Sequence, residues 1–340
     1  WVWRLVLWGS RVLSWLLVLP LVRFASWVGV HTVRCGDIPR HVAFIMDGNR
    51  RWARERHQQV VRGHQRGYSK LQEILQWCLD LGIHMVTVYA FSIENFKRSA
   101  EEVDALMALA QSKFQQIARE TSVIERHKIR VRVLGNLSLL SQDLQDSILR
   151  AEEATKHNEG AVLNICMAYT SSEELLHAAR LACDVSSTSS EGPPSEVGST
   201  LPQDSPSPVC EGVLDRHMYT AGLAPLDLLV RTSGETRLSD FLVWQSTHSI
   251  LSFRSVLWPD LSLLDMLTII LDYQRQRPLL RRHTPQQQLR RQQEQQHLPP
   301  LSQSQPQPQP QPQLAAAFCP FVDPASPWLW HTHTTPPIPS

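Results

Sequence analysis

The segment Ile45-Met-Asp-Gly-Asn-Arg-Arg-Trp52 ends an apolar run on a glycine turn and then presents two arginines. In a parallel sheet such a turn lies at the carboxyl end of a strand, where a following helix offers free N–H groups to an anion. Arg50 and Arg51 suit phosphate oxygens. Asp47 is out of place among them unless a divalent cation bridges it to the anion, and Mg2+ takes one or two carboxylates plus diphosphate oxygens. In isolation the same letters read as an ordinary Asp-Gly-Asn turn. A second segment, Arg231-Thr-Ser-Gly-Glu-Thr-Arg237-Leu-Ser239, sets two guanidinium groups and a hydroxyl around a glycine. That suffices to hold a diphosphate without metal, although Arg231 or Arg237 paired with Glu235 at the surface is the competing reading. The third segment, Phe91-Ser-Ile-Glu-Asn-Phe-Lys-Arg98, offers Ser92 and Asn95 as hydrogen-bonding groups and Arg98 for an anion. Glu102 forms a capping-box pattern with Ser99, which assigns it to structure rather than to proton transfer. His64 opens an expected helix soon after the first loop.

Three loops, each pairing arginine with small polar groups, describe one crevice for two diphosphates and one metal ion. No G-x-x-x-x-G-K-[ST] loop occurs, so ordinary phosphoryl transfer lacks its usual cradle. Departure of diphosphate from an allylic carbon fits better. Metal and arginines stabilise the leaving charge while the second diphosphate positions an attacking alkene.

The elements that must carry these loops alternate. Strands are expected at His41–Met46, Met85–Phe91, Ile129–Leu134, Val162–Ala168, Leu226–Val230 and Ser249–Phe253. Between them, Leu71, Ile74, Leu75, Cys78 and Leu79 recur at helical spacing before Gly82. Val103, Leu106, Met107, Ala110, Phe114 and Ile117 do so behind Ser99, and Leu144, Ile148 and Ala151 after the third strand. Ser171 with Glu174 reads as a second capping box, and a helix over Leu263–Tyr273 closes the domain. Apolar strands alternating with helices imply an α/β fold with a mostly parallel central sheet of about six strands flanked by helices.

Lys and Arg number 33 against 32 Asp and Glu in 340 residues, a net charge of +1, so no basic field points to nucleic acid as partner. Six cysteines without a C-x-x-C pair indicate reduced thiols rather than a zinc module or a disulfide framework. The first 30 residues hold five of the eleven Trp, three Arg and no acid. Their longest charge-free run, Val12–Val22, contains Pro20 and falls short of the about 20 apolar residues a span needs. Residues 1–35 are therefore expected to lie in a membrane interface, with a signal peptide or a true span as rivals. The chain opens at Trp1, as a fragment or a processed form would. Residues 36–280 form the expected folded body. Residues 185–210, with 15 Ser, Pro or Gly in 26, are a disordered insertion, and 281–340 a Gln/Pro-rich disordered tail.

These residues resemble the cis-prenyltransferases, the undecaprenyl diphosphate synthase-like family, and within it the animal members. The likeness runs from about Pro39 to about Gln274. It rests on His41 to Trp52, Val86 to Arg98, Arg231 to Gln245, and Leu257-Trp-Pro-Asp260. The resemblance implies that Asp47 binds Mg2+ and an allylic diphosphate, farnesyl diphosphate, with Gly48, Asn49, Arg50 and Arg51. Arg98, Arg231, Arg237 and Ser239 would hold isopentenyl diphosphate, with Phe91 at the substrate. Asn49, His64, Ser92 and Asn95 would orient the diphosphates and help proton loss. The implied reaction is repeated condensation to a long cis-polyprenyl (dehydrodolichyl) diphosphate for dolichol synthesis and protein glycosylation. Leu71, Leu75, Leu106, Ala110 and Phe114 either line a product tunnel or are plain core. The resemblance also implies an endoplasmic reticulum membrane surface, with the catalytic domain facing the cytosol.

There are departures. Val60 stands where many members carry an arginine, with Arg62 two residues on, and Ile250 stands where bacterial members have a metal-linked glutamate. No Arg-x-Gly follows Arg254. In animal relatives a catalytically silent subunit of the Nogo-B receptor type supplies that tail, which implies a heteromer. The rival reading makes this chain the silent subunit, but such subunits lose the Asp-Gly-Asn loop and keep Arg-x-Gly, the reverse of what stands here. A diphosphate-lipid binding module is a third option.

Overall fold

The computed structural model describes residues 24–119, 123–188 and 210–283. Most of the expected insertion, the expected tail beyond 283 and residues 1–23 lie outside the described residues. The elements are α1 (24–34), β1 (His41–Ile45), α2 (Asn49–Glu55), α3 (Val60–Leu81), β2 (Met85–Tyr89), α4 (Ala100–Ala118), α5 (Val123–Arg126), β3 (Arg130–Leu134), α6 (Gln142–Thr155), β4 (Val162–Cys166), α7 (Ser171–Thr188), α8 (Glu211–His217), β5 (Leu228–Arg231), β6 (Ile250–Phe253) and α9 (Leu263–His283). All six strands run parallel in the order β3-β4-β2-β1-β5-β6.

That order decides where the chemistry goes. From β1 the chain winds outward through β2 to the β3–β4 side, then returns to the opposite flank of β1 as β5. The neighbours β1 and β5 therefore form a switch point, where the loops beyond their carboxyl ends separate and leave a crevice. Ile45 pairs with Arg231 across this junction, and Phe44 with Val88 on the other flank. The three arginine-bearing loops thus leave three adjacent strands, β2, β1 and β5, at the same end of the sheet.

Every residue of β1 and of β5 is buried, as a sheet covered on both faces requires. Val42 and Phe44 face a core shared with α3, α9 and α1, whereas Ala43 and Ile45 face Leu229, Tyr169 and Phe241. The second face continues into a cluster between α4 and α6 around Phe114, Leu144 and Ile148. Trp258, wholly buried, locks α3 to the sheet: its ring lies 5.7 Å from Phe44 and its Nε1 donates to Gly67 O at 2.9 Å. Truncating such a side chain to alanine costs about 3–5 kcal/mol.

Three expectations need correction. The closing helix does not stop at Tyr273 but continues to His283 with Pro278 inside it. Part of the expected membrane segment is α1, which turns Val30 and Val33 into the core against α9 while Phe24 and Trp27 stay exposed. The expected insertion begins later, because α7 runs to Thr188. Among the described residues, no helix is long and apolar enough to cross a membrane.

Candidate active site

At the end of β1 the chain turns at once into α2. Gly48 sits at φ +105°, and a Cβ there would come within 2.9 Å of the Leu257 side chain, so both backbone and space demand glycine. The Asp47 peptide is held from two sides. Its N–H donates to Thr232 Oγ1 (3.2 Å), and its carbonyl accepts from Thr232 Oγ1 (2.8 Å) and from Trp258 N–H (3.0 Å). The Asp47 carboxylate accepts from Gly48 N–H at 2.7 Å and from Arg231 Nη2 at 2.8 Å. Burial works to raise its pKa, but the hydrogen bond and charge of Arg231 outweigh it and hold the group below the usual carboxylate range. Arg231, whose side chain is only 4% exposed, also donates to Ser239 Oγ (2.6 Å) and to Arg237 O. Arg51 donates to Ser233 O at 3.0 Å and lies 3.9 Å from Glu235, which pairs with Arg237.

A second corner forms where α2 faces α3 and α4. Arg50 Nε stands 3.5 Å from Glu102 Oε1, and Arg98 donates to the same oxygen at 2.8 Å. His64 Nε2 is 4.0 Å from it, beyond hydrogen-bond reach. Burial lowers the His64 pKa to about 4; Arg98 and Arg50 add to that and Glu102 opposes it. The ring is neutral at neutral pH, so its approach to Glu102 is not an ion pair. Tyr89, ending β2, donates to Tyr169 O (3.1 Å) and Ser239 O (3.4 Å) and ties this side to the loop after β5.

Of the residues singled out in the sequence, Asp47, Arg231 and Ser239 bond directly, Arg98 joins Arg50 through Glu102, and Arg50 and Arg51 splay from one helix turn to the two corners. Arg237 brings its carbonyl to Arg231, but its guanidinium is 66% exposed and holds Glu235, the surface ion pair that the sequence left open. Ser92 and Asn95 are capping residues: Ser92 Oγ accepts from Glu94 N–H and Asn95 Oδ1 from Ser92 N–H, closing the 3-10 turn after β2. Asn49 donates to Met46 O and presses its Oδ1 against Gly67, where a Cβ would come within 2.3 Å. Phe91 is buried and packs on Phe96, a core residue below the crevice.

Sequence reasoning missed Thr232 and misassigned Glu102. Ser99 Oγ does accept from Glu102 N–H, but the Glu102 carboxylate turns away to the arginines. Glu174 is likewise not half of a box. It is wholly buried and accepts from Tyr169, Thr220 and Gln245.

Three buried polar atoms beside this crevice lack a partner: Asn49 Oδ1, His64 Nε2 and Arg231 Nε. Buried polar groups are usually hydrogen-bonded, and although Asn164 Oδ1, Gln245 Oε1 and Arg254 Nε elsewhere also lack partners, those beside the two arginine corners suit a polar ligand. Among the described residues no three His, Cys, Asp or Glu side chains converge as a metal cage. The half-exposed Asp47 carboxylate keeps lone pairs beyond its two hydrogen bonds, and one carboxylate plus diphosphate oxygens is the set a magnesium-type cation accepts.

A parallel sheet with a half-exposed carboxylate and clustered arginines at its switch point is a site suited to binding phosphate groups. Residues 45–280 match a family model described as "Putative undecaprenyl diphosphate synthase". The dehydrodolichyl diphosphate synthase complex subunit of Homo sapiens is 45% identical over 251 residues, covering 74% of this chain and 71% of that protein. An isoprenyl transferase of Thermus thermophilus is 40% identical over 267 residues, 78% of this chain and 94% of that one. Among solved structures, lavandulyl diphosphate synthase from Lavandula x intermedia, in complex with dimethylallyl diphosphate, superposes with a TM-score of 0.61 at 31% identity, over 69% of this chain and 95% of that one. The chain belongs to the undecaprenyl diphosphate synthase family of cis-prenyltransferases, transferases of alkyl groups that depend on metal.

Proposed function

We propose that the chain condenses isopentenyl diphosphate repeatedly onto farnesyl diphosphate, giving a long cis-polyprenyl diphosphate that supplies dolichol synthesis and, through it, protein glycosylation. The observation that carries this reading is the Asp47–Arg231 pair at the switch point, with Arg50 and Arg98 gathered on Glu102 beside it. The pairing crosses the substrate assignment. Asp47 and Arg50 belong to the allylic diphosphate, Arg231 and Arg98 to isopentenyl diphosphate, so the two diphosphates lie side by side and each touches both corners.

In each cycle the allylic C1–O bond breaks and diphosphate leaves with the electron pair. The isopentenyl alkene attacks through C4 to form the new C1–C4 bond, and a proton is lost from C2 to give the cis double bond. Asp47 is the group that would hold Mg2+ together with diphosphate oxygens, and the bound cation would stabilise the departing charge. Arg50 and Arg51 bind the leaving diphosphate, while Arg231, Arg98 and Ser239 orient the isopentenyl group. Neutral His64, with an unpartnered Nε2, can donate a hydrogen bond from that nitrogen to a diphosphate oxygen when its proton sits on Nε2. The growing chain runs along α4, where Val103, Leu106, Met107, Ala110 and Ile117 point inward yet stay only partly buried. Leu71 and Leu75 are core residues on the opposite face of the sheet.

A second subunit is part of the proposal. The chain carries no Arg-x-Gly after Arg254, and curated relatives are named as subunits of a complex. We propose a Nogo-B receptor-type partner that contributes that tail, at the endoplasmic reticulum membrane with the catalytic domain toward the cytosol. The reading as a silent subunit is not favoured, because the Asp47 corner is complete. The test is labelled isopentenyl diphosphate with farnesyl diphosphate and Mg2+, with and without such a partner, resolving product length. Long cis-polyprenyl diphosphate only with both proteins is the expected result. No incorporation under either condition would refute the reading, and full turnover by the chain alone would refute the partner.

A further inference from the structure

Asp240 follows Ser239 in the loop after β5 and touches neither corner of the site. Its φ is +56°, with Ser239 at +50° and Leu242 at +46°. Left-handed backbone is costly for residues with a Cβ, though Asp and Asn tolerate it best, and it persists only where the surroundings impose it. Here α7 imposes it. Asp240 O accepts from Ser171 N–H at 2.7 Å and Asp240 Oδ1 from Ser172 N–H at 3.1 Å. In return Ser171 Oγ accepts from Val243 N–H at 3.2 Å. The first amides of a helix have no partner within it, and a carboxylate there is favoured by hydrogen bond and helix dipole together. The helix cannot follow the loop if the loop shifts. Three residues further on, buried Glu174 accepts from Tyr169 Oη (2.6 Å), Thr220 N–H (3.0 Å), Thr220 Oγ1 (2.9 Å) and Gln245 Nε2 (2.9 Å).

We infer that Asp240 is a positioning residue: a helix cap supplied from outside the helix, which fixes Ser239 and through it Arg231 at the isopentenyl diphosphate. The inference rests on the assignment of that substrate to Arg231 and Ser239. An anchored α7 holds Asp240, Asp240 holds the left-handed turn, and the turn sets Ser239 Oγ 2.6 Å from Arg231. Without the cap, Ser239 and the loop regain conformations that the substrate must freeze out on binding, a cost that appears in KM rather than in kcat.

Three variants of the full chain, assayed in its active assembly, test this. Asp240→Gly accepts the positive φ but removes the side-chain cap, Asp240→Asn keeps both the acceptor and the tolerance of that φ, and Ser239→Ala probes the substrate assignment. We expect Asp240→Gly to raise KM for isopentenyl diphosphate about tenfold, the effect of one lost charge-assisted hydrogen bond, with kcat and the allylic KM within about twofold. Asp240→Asn should restore KM to within about twofold of wild type. A wild-type KM in Asp240→Gly while Ser239→Ala raises it overturns the inference. So does an Asn variant as impaired as the Gly variant, or a general loss of kcat and of both KM values. If Ser239→Ala leaves KM for isopentenyl diphosphate unchanged, the substrate assignment fails instead.

Discussion

The two corners of the crevice hold their arginines by different means. Beyond β1 and β5, Arg231 is almost wholly buried, and its carboxylate partner hangs from a peptide pinned by Thr232 and Trp258. Between α2, α3 and α4, one oxygen of Glu102 takes Arg98 and Arg50, whose side chains are 23% and 44% exposed. The first corner is set by hydrogen-bonded backbone, the second by side chains that water reaches. Each nevertheless carries an excess of positive charge: three arginines against Asp47 and Glu235 in one, two against Glu102 in the other. The carboxylates keep the guanidinium groups apart and aimed, and the surplus positive charge suits anionic ligands.

If the strand-borne corner is the prebuilt one, damage there should be severe. Asp47→Ala should lower condensation by about a thousandfold while circular dichroism shows the fold intact, since the metal-bearing charge and the aim of Arg231 go together. Elongation at the wild-type rate would remove the metal assignment altogether. Arg231→Lys should raise KM for isopentenyl diphosphate about a hundredfold, because a single ammonium cannot reach Asp47, Ser239 and Arg237 O at once. A change of only a few-fold would mean that this corner adapts after all.

The helix-borne corner should show itself in stability against pH. The folded His64 pKa, about 4, lies below its unfolded value of 6.5, so below pH 6.5 the unfolded chain takes up a proton that the folded chain refuses. Stability is thus complete above pH 6.5 and is lost as pH falls toward 4, by about 2 kcal/mol at pH 5 from this group. His41, lowered by its burial, acts in the same direction. In urea titrations, the stability lost between pH 7.5 and pH 5 should be smaller by that amount in His64→Asn than in wild type, and equal losses would show that His64 contributes none of it. Last, Glu102→Gln should cost about tenfold in kcat/KM, less than either change at Arg231 or Asp47, and the loss should shrink in high salt. A salt-independent loss would place Glu102 among rigid, desolvated groups and erase the contrast.

Much of this architecture is legible in the sequence itself. The six strands fall within a residue or two of where apolar runs placed them, and the loops with arginine all leave the same end of the sheet. The capping patterns misled. Ser99 with Glu102 and Ser171 with Glu174 look like reciprocal boxes, yet both carboxylates turn away from the cap, Glu102 to Arg98 and Arg50 and Glu174 to Tyr169, Thr220 and Gln245. The true box is Ser92 with Asn95, two residues read as chemistry.

The amino-acid sequence alone therefore determined the parallel sheet, the glycine turn at Gly48 and the three segments from which arginines are presented. Those follow from apolar periodicity, backbone freedom and chain order, which act over a few residues at a time. Only the tertiary structure decided which acid meets which distant donor: Asp47 with Arg231, Glu102 with Arg50, Asp240 with the start of α7. A carboxylate takes the strongest donor within about 3 Å of its oxygens, and when that donor lies far along the chain only the folding of the sheet brings it there.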